Sequence, residues 1–326
     1  MSISSPVTAP REVADPQLSI IVPCYQEEQS LPAFHVRIRA LMARLPVSSE
    51  VLYVDDGSRD GSVALLERLR QETGVRCLFL SRNFGKEAAL CAGIDHARGQ
   101  ALVFIDADLQ DPPELIEHMV AHWREGFEVV NMQRRRRTGD SWFKRTTARL
   151  YYRMMGVLVE RMRIPSDVSD FRLIGPAPLA ALRAMDERSR MLKGLVGWVG
   201  FKTIELPYER TARRAGSSKF NFLGLLDLAI SGVLGFSRKP LRWFSLASLL
   251  IWVAAVVYIL VALVGGTLDA HHLLIGLGAF LCLGVAMVGE YLGATLSEVK
   301  RRPHYLLKGQ STQRSSRAHK AQGRWS

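Results

Sequence analysis

Four short apolar runs in the first third of the chain constrain its fold more than any other feature. They are rich in Val, Ile, Leu and Phe and read LSIIVPC (18–24), EVLYVD (50–55), VRCLFLS (75–81) and ALVFID (101–106). A polar turn and a segment of helix length follow each run. This alternation predicts an α/β fold, in which helices cover the faces of a Rossmann-like, mainly parallel sheet.

Polar side chains gather where these predicted strands end. Because ligands of parallel sheets bind beyond the carboxyl ends of the strands, we expect these side chains to converge on one polar site. The chain contains neither a G-x-G-x-x-G nor a G-x-x-x-x-G-K-[ST] pattern, which argues against a dinucleotide oxidoreductase and a P-loop enzyme. The strand-end residues are Tyr25, Glu27, Asp55, Asp56, Arg82, Lys86, Asp106, Asp108 and Gln110.

The acidic stretch FIDADLQDPPE (104–114) predicts a metal site. Neighbouring carboxylates repel each other unless a cation neutralises them. Asp106, Asp108 and the amide oxygen of Gln110 are hard oxygen ligands suited to Mg²⁺ or Mn²⁺. The alternative is that acidic residues cap the next helix, and we adopt that interpretation for Asp111, as the N-cap before Pro112, and for Glu114.

The basic character of the chain comes from one segment. Between Arg134 and Lys219 there are 20 Lys and Arg against 8 Asp and Glu, and this surplus of 12 equals the net charge of +12 of the whole chain. Two stretches, QRRRRTGDSWFKR (133–145) and RTARRAGSSK (210–219), could pair bidentately with phosphate groups. For the four-arginine run, a solvated surface is the alternative.

Two long apolar runs predict a membrane anchor. Residues 243–268 contain no charged residue, and the run exceeds the roughly 20 apolar residues that a bilayer core requires. A second run, 273–296, is interrupted only by Glu290. We therefore predict two transmembrane helices joined by a tight turn.

The flanking charges predict how the anchor is oriented. Arg238, Lys239 and Arg242 precede the first run, residues 300–302 after the second are all basic, and the connecting loop has no Lys or Arg. The positive-inside rule then places both long ends in the cytoplasm. The stretch KFNFLGLLDLAISGVLGF (219–236) is predicted to be an interfacial helix, with a buried core helix as the alternative.

Seven motifs in one order resemble a known family. They are IVPCYQEE, YVDDGSRDGS, SRNFGKEAAL, DADLQDPPE, DFRLI, MLKGLVGWVGF and RAGSSKFN, followed by the two apolar runs. The chain resembles the inverting GT-A polyprenyl-phosphate glycosyltransferases, above all the bactoprenyl-phosphate glucosyltransferases, with dolichyl-phosphate mannose synthases as relatives. Gln26 departs from the family, which more often has Asn there.

The resemblance implies roles for the residues that match on the donor side. Pro23, Tyr25 and Asp56 would hold the uracil of a UDP-sugar, with Tyr25 stacked on the base and Asp56 at its edge. Asp106 and Asp108, with Gln110, would hold the metal and the ribose-diphosphate. Glu27 and Lys86 would also contact the nucleotide. Packing for Tyr25, and solvated surface charge for Arg82 and Lys86, are the alternatives.

The resemblance also implies a reaction. The acceptor, polyprenyl phosphate, is already anionic, so it needs little help from a general base. Its phosphate oxygen would attack the anomeric carbon opposite UDP and invert it, with Asp170 orienting the acceptor and Asp108 in the catalytic set. For Asp170, pairing with a nearby Arg is the alternative. The residues predicted to contact the lipid phosphate or diphosphate are Arg134, Arg137, Arg172, Arg213, Arg214 and Lys219.

The predicted organisation follows from these assignments. A flexible N-terminus (1–17) precedes a GT-A catalytic domain (18–218), a juxtamembrane amphipathic helix (219–240), a two-helix anchor (241–298) and a basic tail (299–326). We predict a bilayer and no nucleic acid among the partners, and leave a homo-oligomer open. The expected location is the inner membrane, with the catalytic domain and both termini in the cytoplasm.

Two rival functions each fit part of the sequence. A processive polysaccharide synthase should show a Q-x-x-R-W motif and more spans, whereas here KPLRW lacks the Gln. A non-enzymatic basic module for membrane surfaces or nucleic acid would explain the charge but not the strand-end acids. The sequence favours glucose as the sugar by resemblance alone.

Overall fold

The computed structural model describes residues 15–134, 168–185, 192–209, 239–265, 270–300 and 302–308. The described residues divide between two compact units. The first comprises the chain up to Leu109 together with the segment from His304 onward, and the second runs from Gln110 to Pro303.

The first unit is the predicted α/β alternation. Its elements are β1 (Leu18–Cys24), α1 (Leu31–Met42), β2 (Ser49–Asp55), α2 (Ser62–Leu69), β3 (Val75–Phe79), α3 (Lys86–His96) and β4 (Ala101–Phe104). The strands pair in the order β3-β2-β1-β4, and every pair is parallel. The predicted α/β fold with a mainly parallel sheet is therefore confirmed.

The apolar composition of the strands matches their burial. Every residue of β2 is buried, as expected for a strand that is covered on both faces of a parallel sheet. In α1, Leu31, Phe34, Ile38 and Leu41 recur at helical spacing and are fully buried. Gly93 of α3 allows a close approach to β1, since a Cβ there would lie 2.4 Å from a methyl carbon of Ile21.

The second unit combines a small mixed sheet with further helices. Its elements are α4 (Leu115–Arg124), β5 (Val129–Arg134), β6 (Val168–Ile174), α5 (Pro176–Ala184), α6 (Leu192–Trp198), β7 (Thr203–Tyr208), α7 (Lys239–Gly265) and α8 (Ala270–Val299). Strand β5 pairs antiparallel with β6 and parallel with β7.

The two C-terminal helices correspond to the two predicted spans. Phe244 of α7 stacks on Phe280 of α8 with ring centroids 4.8 Å apart. The side chains of Ile259 and of residues 262–265 lie outside the described part. Among the described residues, no helix is identified that is long and apolar enough to cross a membrane. The two transmembrane spans are therefore not confirmed and stay a prediction.

Several predicted features fall outside the described residues. The interfacial helix at 219–236 does so, as does nearly all of the two basic stretches. Of the predicted phosphate-binding residues, Arg137, Arg213, Arg214 and Lys219 lie outside the described part, whereas Arg134 and Arg172 lie within it.

Candidate functional site

A polar cavity lies in the first unit, where β1, β2 and β3 end. Its volume is about 270 Å³. Its position agrees with the expectation that ligands bind beyond the carboxyl ends of parallel strands. The residues that line it are Tyr25, Asp55, Gly57, Ser58, Arg59, Val63, Phe79, Leu80, Ser81, Arg82, Asn83 and Lys308.

The turn after β1 presents Tyr25 to the cavity. The turn is held to the connection after β2 and to the start of α2, because the Gln26 N–H donates to Ser58 Oγ (2.9 Å) and the Glu27 N–H donates to Ser62 Oγ (2.9 Å). Gln26 has a φ of 56°, in the left-handed region that Asn adopts more readily than Gln. The position where the sequence departs from the family is therefore a position of backbone strain.

Pro23 and Glu27 flank Tyr25 but do not line the cavity. Pro23 lies within β1. The Ser30 hydroxyl donates to Glu27 Oε2 at 2.6 Å, so the Glu27 carboxylate stabilises the start of α1. A structural role is thus visible for Glu27, while its predicted contact with a nucleotide stays a prediction.

Two consecutive aspartates at the end of β2 have different environments. Asp56 accepts hydrogen bonds from the Phe84 N–H at 2.7 Å and from the Gly85 N–H at 2.9 Å, one at each carboxylate oxygen. Its carboxylate therefore fixes the loop between β3 and α3. Burial raises the pKa of Asp56, against the lowering effect of these two N–H groups.

Asp55 is the carboxylate that lines the cavity. It is only 2% exposed, and its Oδ2 accepts a hydrogen bond from the Ser58 N–H at 3.1 Å. Its Oδ1 is buried without a hydrogen-bond partner among the described residues. Burial raises the pKa of Asp55. A buried acceptor of this kind can receive a hydrogen bond from a ligand.

Gly57 brings the end of β2 against the loop that follows β3. Its φ is 70°, and a Cβ there would lie 2.5 Å from the carbonyl carbon of Arg82. Within that loop, the Arg82 guanidinium lies 4.0 Å from the centre of the Phe84 ring and donates to the Asn83 carbonyl oxygen at 2.9 Å. The cavity wall is therefore built from two loops in direct contact.

A second group of predicted residues meets near the end of β4. Lys86, the first residue of α3, lies 2.6 Å from Asp106 Oδ1 and 2.8 Å from Asp106 Oδ2. Both side chains are partly exposed, at 39% and 26%. The ammonium group thus neutralises one of the two carboxylates that were predicted to bind a metal. Asp108 follows two residues later and is half-buried.

The residues after β4 fit a divalent cation in their chemistry. Asp106 and Asp108 supply carboxylate oxygens, and Leu109 has a φ of 60°, a strained conformation of the kind found at functional sites. The described residues contain no group of three or more His, Cys, Asp or Glu that could hold a metal. Two carboxylates nevertheless suit Mg²⁺, which usually keeps waters and substrate phosphates as its other ligands. Gln110, the third predicted ligand, belongs to the second unit.

The prediction that Asp111 caps the following helix is wrong. Helix α4 begins at Leu115, and Glu114 occupies its N-cap position without a side-chain capping bond. Asp111 is instead buried and accepts a hydrogen bond from the Tyr208 hydroxyl. Burial and the neighbouring Asp111 carboxylate raise the pKa of Tyr208 to about 12. No sequence pattern indicated this contact between residues 97 positions apart.

The predicted acceptor-side residues lie on neighbouring strands of the second unit. Asp170 and Arg172 are on β6, and Arg134 ends β5, which pairs with β6. Asp170 is half-buried, whereas Arg172 is 4% exposed and donates to the Ser169 carbonyl oxygen at 3.0 Å. The buried guanidinium of Arg172 therefore donates a hydrogen bond to the backbone of its own strand. Its contact with a phosphate stays a prediction.

Sequence analysis missed several residues of the cavity. Ser58 and Arg59 belong to the motif YVDDGSRDGS, so their position after a predicted strand could have indicated them. Lys308 lies in the C-terminal segment HYLLK (304–308), which carries no motif, and only the folded chain brings it to the cavity.

Comparisons with protein families and with known sequences both identify glycosyltransferases as similar to this chain. Residues 19–179 match the family described as Glycosyl transferase family 2. A glycosyltransferase of Synechocystis sp. that is itself named uncharacterized is 38% identical over 301 residues, covering 89% of this chain and 94% of that protein.

Two relatives carry more specific names. A prophage bactoprenol glucosyl transferase homolog of Escherichia coli is 35% identical, covering 90% of this chain and 98% of its own length. The bactoprenol glucosyl transferase of Shigella phage SfII is also 35% identical, with 90% and 97% covered. Among solved structures, mannosyl-3-phosphoglycerate synthase from Rubrobacter xylanophilus is 17% identical with a TM-score of 0.46, covering 70% of this chain and 76% of that one.

Proposed function

Because the chain belongs to glycosyl transferase family 2, we propose that it transfers glucose from UDP-glucose to polyprenyl phosphate with inversion, giving a lipid-linked monosaccharide. The observation that carries the proposal is the 35% identity, over 90% of this chain, with proteins named bactoprenol glucosyl transferase. The cavity at the strand ends supports the donor half of the reaction.

The cavity suits a uracil base. Tyr25 offers an aromatic face, on which a base can stack. Asp55 Oδ1 is a buried acceptor without a partner among the described residues, and it can accept the ring N–H of uracil. Leaving such a group unsatisfied costs about 1 to 3 kcal/mol, so a donor from the ligand is favoured. Asp56, whose two oxygens accept loop N–H groups, would act by fixing the cavity wall.

Asp106 and Asp108 would hold Mg²⁺ or Mn²⁺, with Gln110 as a predicted further ligand. When bound, the metal would offset the negative charge that develops on the departing diphosphate. In the structure Lys86 neutralises Asp106. A cation bound to Asp106 would compete with this ion pair, and the ammonium group of Lys86 could then contact the diphosphate.

The acceptor half of the proposal rests on charge. A phosphate monoester is an anionic nucleophile at neutral pH, so Asp170 is needed to orient the acceptor more than to deprotonate it. The basic residues Arg137, Arg213, Arg214 and Lys219, which lie outside the described part, would bind the lipid phosphate. Inversion follows from attack on the face of the anomeric carbon opposite UDP.

We further propose that the chain is anchored in the inner membrane, with its catalytic part in the cytoplasm. The uncharged sequence at 243–268 and the basic flanks support this. Helices α7 and α8 also carry many large apolar side chains exposed to solvent, such as Leu250, Trp252 and Leu281. Exposed apolar side chains in such number are usually covered by a bilayer or by another protein.

The proposed function is tested by product identification. The purified protein is incubated with undecaprenyl phosphate and, separately, with UDP-glucose, UDP-GlcNAc, UDP-galactose and GDP-mannose, and the lipid is analysed by mass spectrometry. We expect one hexose to be added from UDP-glucose. Absence of a glycosylated lipid with every donor would refute the proposal, and transfer from another donor alone would change the sugar.

The metal is tested separately with Asp108→Asn. The amide keeps the size of the side chain but removes its charge, so we expect transfer to fall by a factor of about 100 or more, as for loss of a charge-stabilising group at a reacting centre. EDTA should abolish wild-type activity, and added Mg²⁺ or Mn²⁺ should restore it. Full turnover in EDTA would contradict the metal assignment.

A further inference from the structure

Residues 304–308, here called the C-terminal strap, lie along the edge of β3. The Ser81 N–H donates to the Leu306 carbonyl oxygen at 2.7 Å, and the Lys308 N–H donates to the Phe79 carbonyl oxygen at 2.7 Å. Between these two bonds, Leu80 and Leu307 form an antiparallel bridge. The strap therefore extends the sheet of the first unit by one short antiparallel pairing.

A second contact fixes the strap at the end of α3. The Tyr305 hydroxyl donates to Asp95 Oδ2 at 3.0 Å, and its ring meets the His96 ring edge-on with centroids 6.1 Å apart. The strap is thus held both at the strand edge and at the helix end. Its placement is set by the backbone and by Tyr305, so the position of Lys308 follows from more than one interaction.

This placement brings Lys308 to the cavity. Phe79 and Ser81 form backbone hydrogen bonds with the strap and line the cavity themselves, and Lys308 also belongs to the lining. The other cationic side chains of the lining are Arg59 and Arg82, and Arg82 is already engaged with Phe84 and the Asn83 carbonyl. An ammonium group on a flexible stem suits an anionic ligand or a base carbonyl.

We propose that Lys308 binds the nucleoside diphosphate part of the donor, and that the C-terminal strap is a structural component of the donor site. The inference rests on the proposed function, since the ligand is the UDP-sugar of that reaction. It adds a binding residue that lies between 198 and 283 positions downstream of the strand-end residues Tyr25 to Gln110, in a segment that carries no motif.

The first experiment measures UDP binding by calorimetry and compares the purified full-length wild type with single variants. Lys308→Gln should weaken UDP binding about tenfold or more, the effect expected for loss of a charge-assisted hydrogen bond. Lys308→Arg, which keeps the charge, should recover most of the affinity. Arg68→Gln removes a cation from an exposed position on α2 and should bind UDP like the wild type. In turnover, Lys308→Gln should raise the KM for UDP-glucose and leave the KM for polyprenyl phosphate unchanged.

A second measurement needs no variant. Amine acetylation of the wild type is followed by peptide mass spectrometry with and without UDP, and UDP should protect Lys308 but not the exposed Lys202. Equal labelling of Lys308 in both conditions, or wild-type UDP affinity in Lys308→Gln, would overturn the inference. If the wild type binds UDP and transfers glucose, but Lys308→Gln keeps wild-type UDP affinity and UDP does not protect Lys308, only this inference fails. If the wild type does not bind UDP, the proposed function fails with it.

Discussion

Two neighbouring carboxylates at the end of β2 have different roles in the candidate site. Asp55 and Asp56 are consecutive and both buried, yet one lines the cavity and the other accepts N–H groups of the β3–α3 loop. The sequence-based prediction placed Asp56 at the base edge. Of these two carboxylates, only Asp55 has a buried oxygen without a hydrogen-bond partner among the described residues, and we therefore place Asp55 there in the proposed site.

The raised pKa of Asp55 leads to a pH-dependent prediction. Because its pKa is higher in the folded than in the unfolded state, the folded state binds more protons, and stability falls as pH rises through this range. The cost of the buried charge is absent below the unfolded pKa of about 4 and fully present above the folded pKa. Asp55→Asn should therefore raise the free energy of unfolding at pH 7, and this gain should shrink near pH 4.

Thermal unfolding of the wild type and Asp55→Asn across this pH range provides the measurement. The same substitution should weaken UDP binding about tenfold, because the ring N–H of uracil would lose a charged acceptor. Asp56→Asn serves as the comparison, since it disturbs the loop rather than the base contact. A stabilisation of Asp55→Asn that is independent of pH would contradict the charge explanation.

Gln26 gives a second prediction at the residue scale. Its left-handed backbone, with a φ of 56°, costs about 1 kcal/mol relative to a residue that tolerates this region. Gln26→Asn should therefore raise the midpoint of thermal unfolding by about 2 to 4 °C for a domain of this size. Its N–H bond to Ser58 is unaffected by the change.

The control is Gln29→Asn. Gln29 is an exposed residue nearby, and its φ is not positive. That variant should unfold at the wild-type temperature. Should both variants unfold like the wild type, the strain at Gln26 would not be a measurable part of the stability.

At the scale of elements, the cavity depends on contact between two loops. The connection after β2 meets the loop after β3 at Gly57, where a Cβ would lie 2.5 Å from one backbone atom and 2.6 Å from another. Asp56 holds the second loop through two N–H groups. The ends of β2 and β3 therefore act as one wall.

Gly57→Ala should disrupt this wall. The substitution adds the cost of a left-handed φ, about 1 to 2 kcal/mol, and forces the Arg82–Asn83 backbone to move. Gly126→Ala is the matched control, since its φ of 89° carries the backbone cost while no atom lies within 4 Å of the added Cβ. Unfolding and UDP binding are measured for both variants.

We expect Gly57→Ala to lose more stability than Gly126→Ala and to bind UDP more weakly, whereas Gly126→Ala should keep wild-type affinity. Equal losses of stability and intact UDP binding in both variants would show that the close approach at Gly57 has no role in the site.

At the scale of the whole molecule, the prediction concerns orientation in the membrane. The flanks of the two apolar runs carry six basic residues, and the loop that contains Asp269 carries no Lys or Arg. If the chain spans the membrane twice, this loop faces away from the cytoplasm. A cysteine at Asp269 should then react with an impermeant thiol reagent in intact cells.

Ser311→Cys, in the basic tail, is the matched control and should react only after the membrane is opened. The wild type, with its four native cysteines, gives the background. Labelling of Ser311→Cys in intact cells, or protection of Asp269→Cys there, would contradict the proposed topology.

Local patterns were sufficient for the framework of the first unit. Runs such as LSIIVPC and EVLYVD form buried parallel strands because a continuous apolar segment of that length is stable where both faces of a sheet are covered. The parallel arrangement brings their carboxyl ends to one edge, so Tyr25 and the Asp55–Asp56 pair could be placed near a common site from the sequence alone. Lys86 and Asp106 were also assigned to one site, and they form an ion pair.

Only the tertiary structure decided which of these side chains face the cavity and which remote residues join them. Asp55 is the last paired residue of β2, and beyond it the turn sets the direction of the Asp56 side chain, so alternation along the strand does not show which of the two carboxylates faces the cavity. The contacts of Tyr208 with Asp111 and of Tyr305 with Asp95 join residues 97 and 210 positions apart. Such pairs leave no local pattern, because residues so far apart in the sequence come together only in the folded chain, and Lys308 reaches the cavity for the same reason.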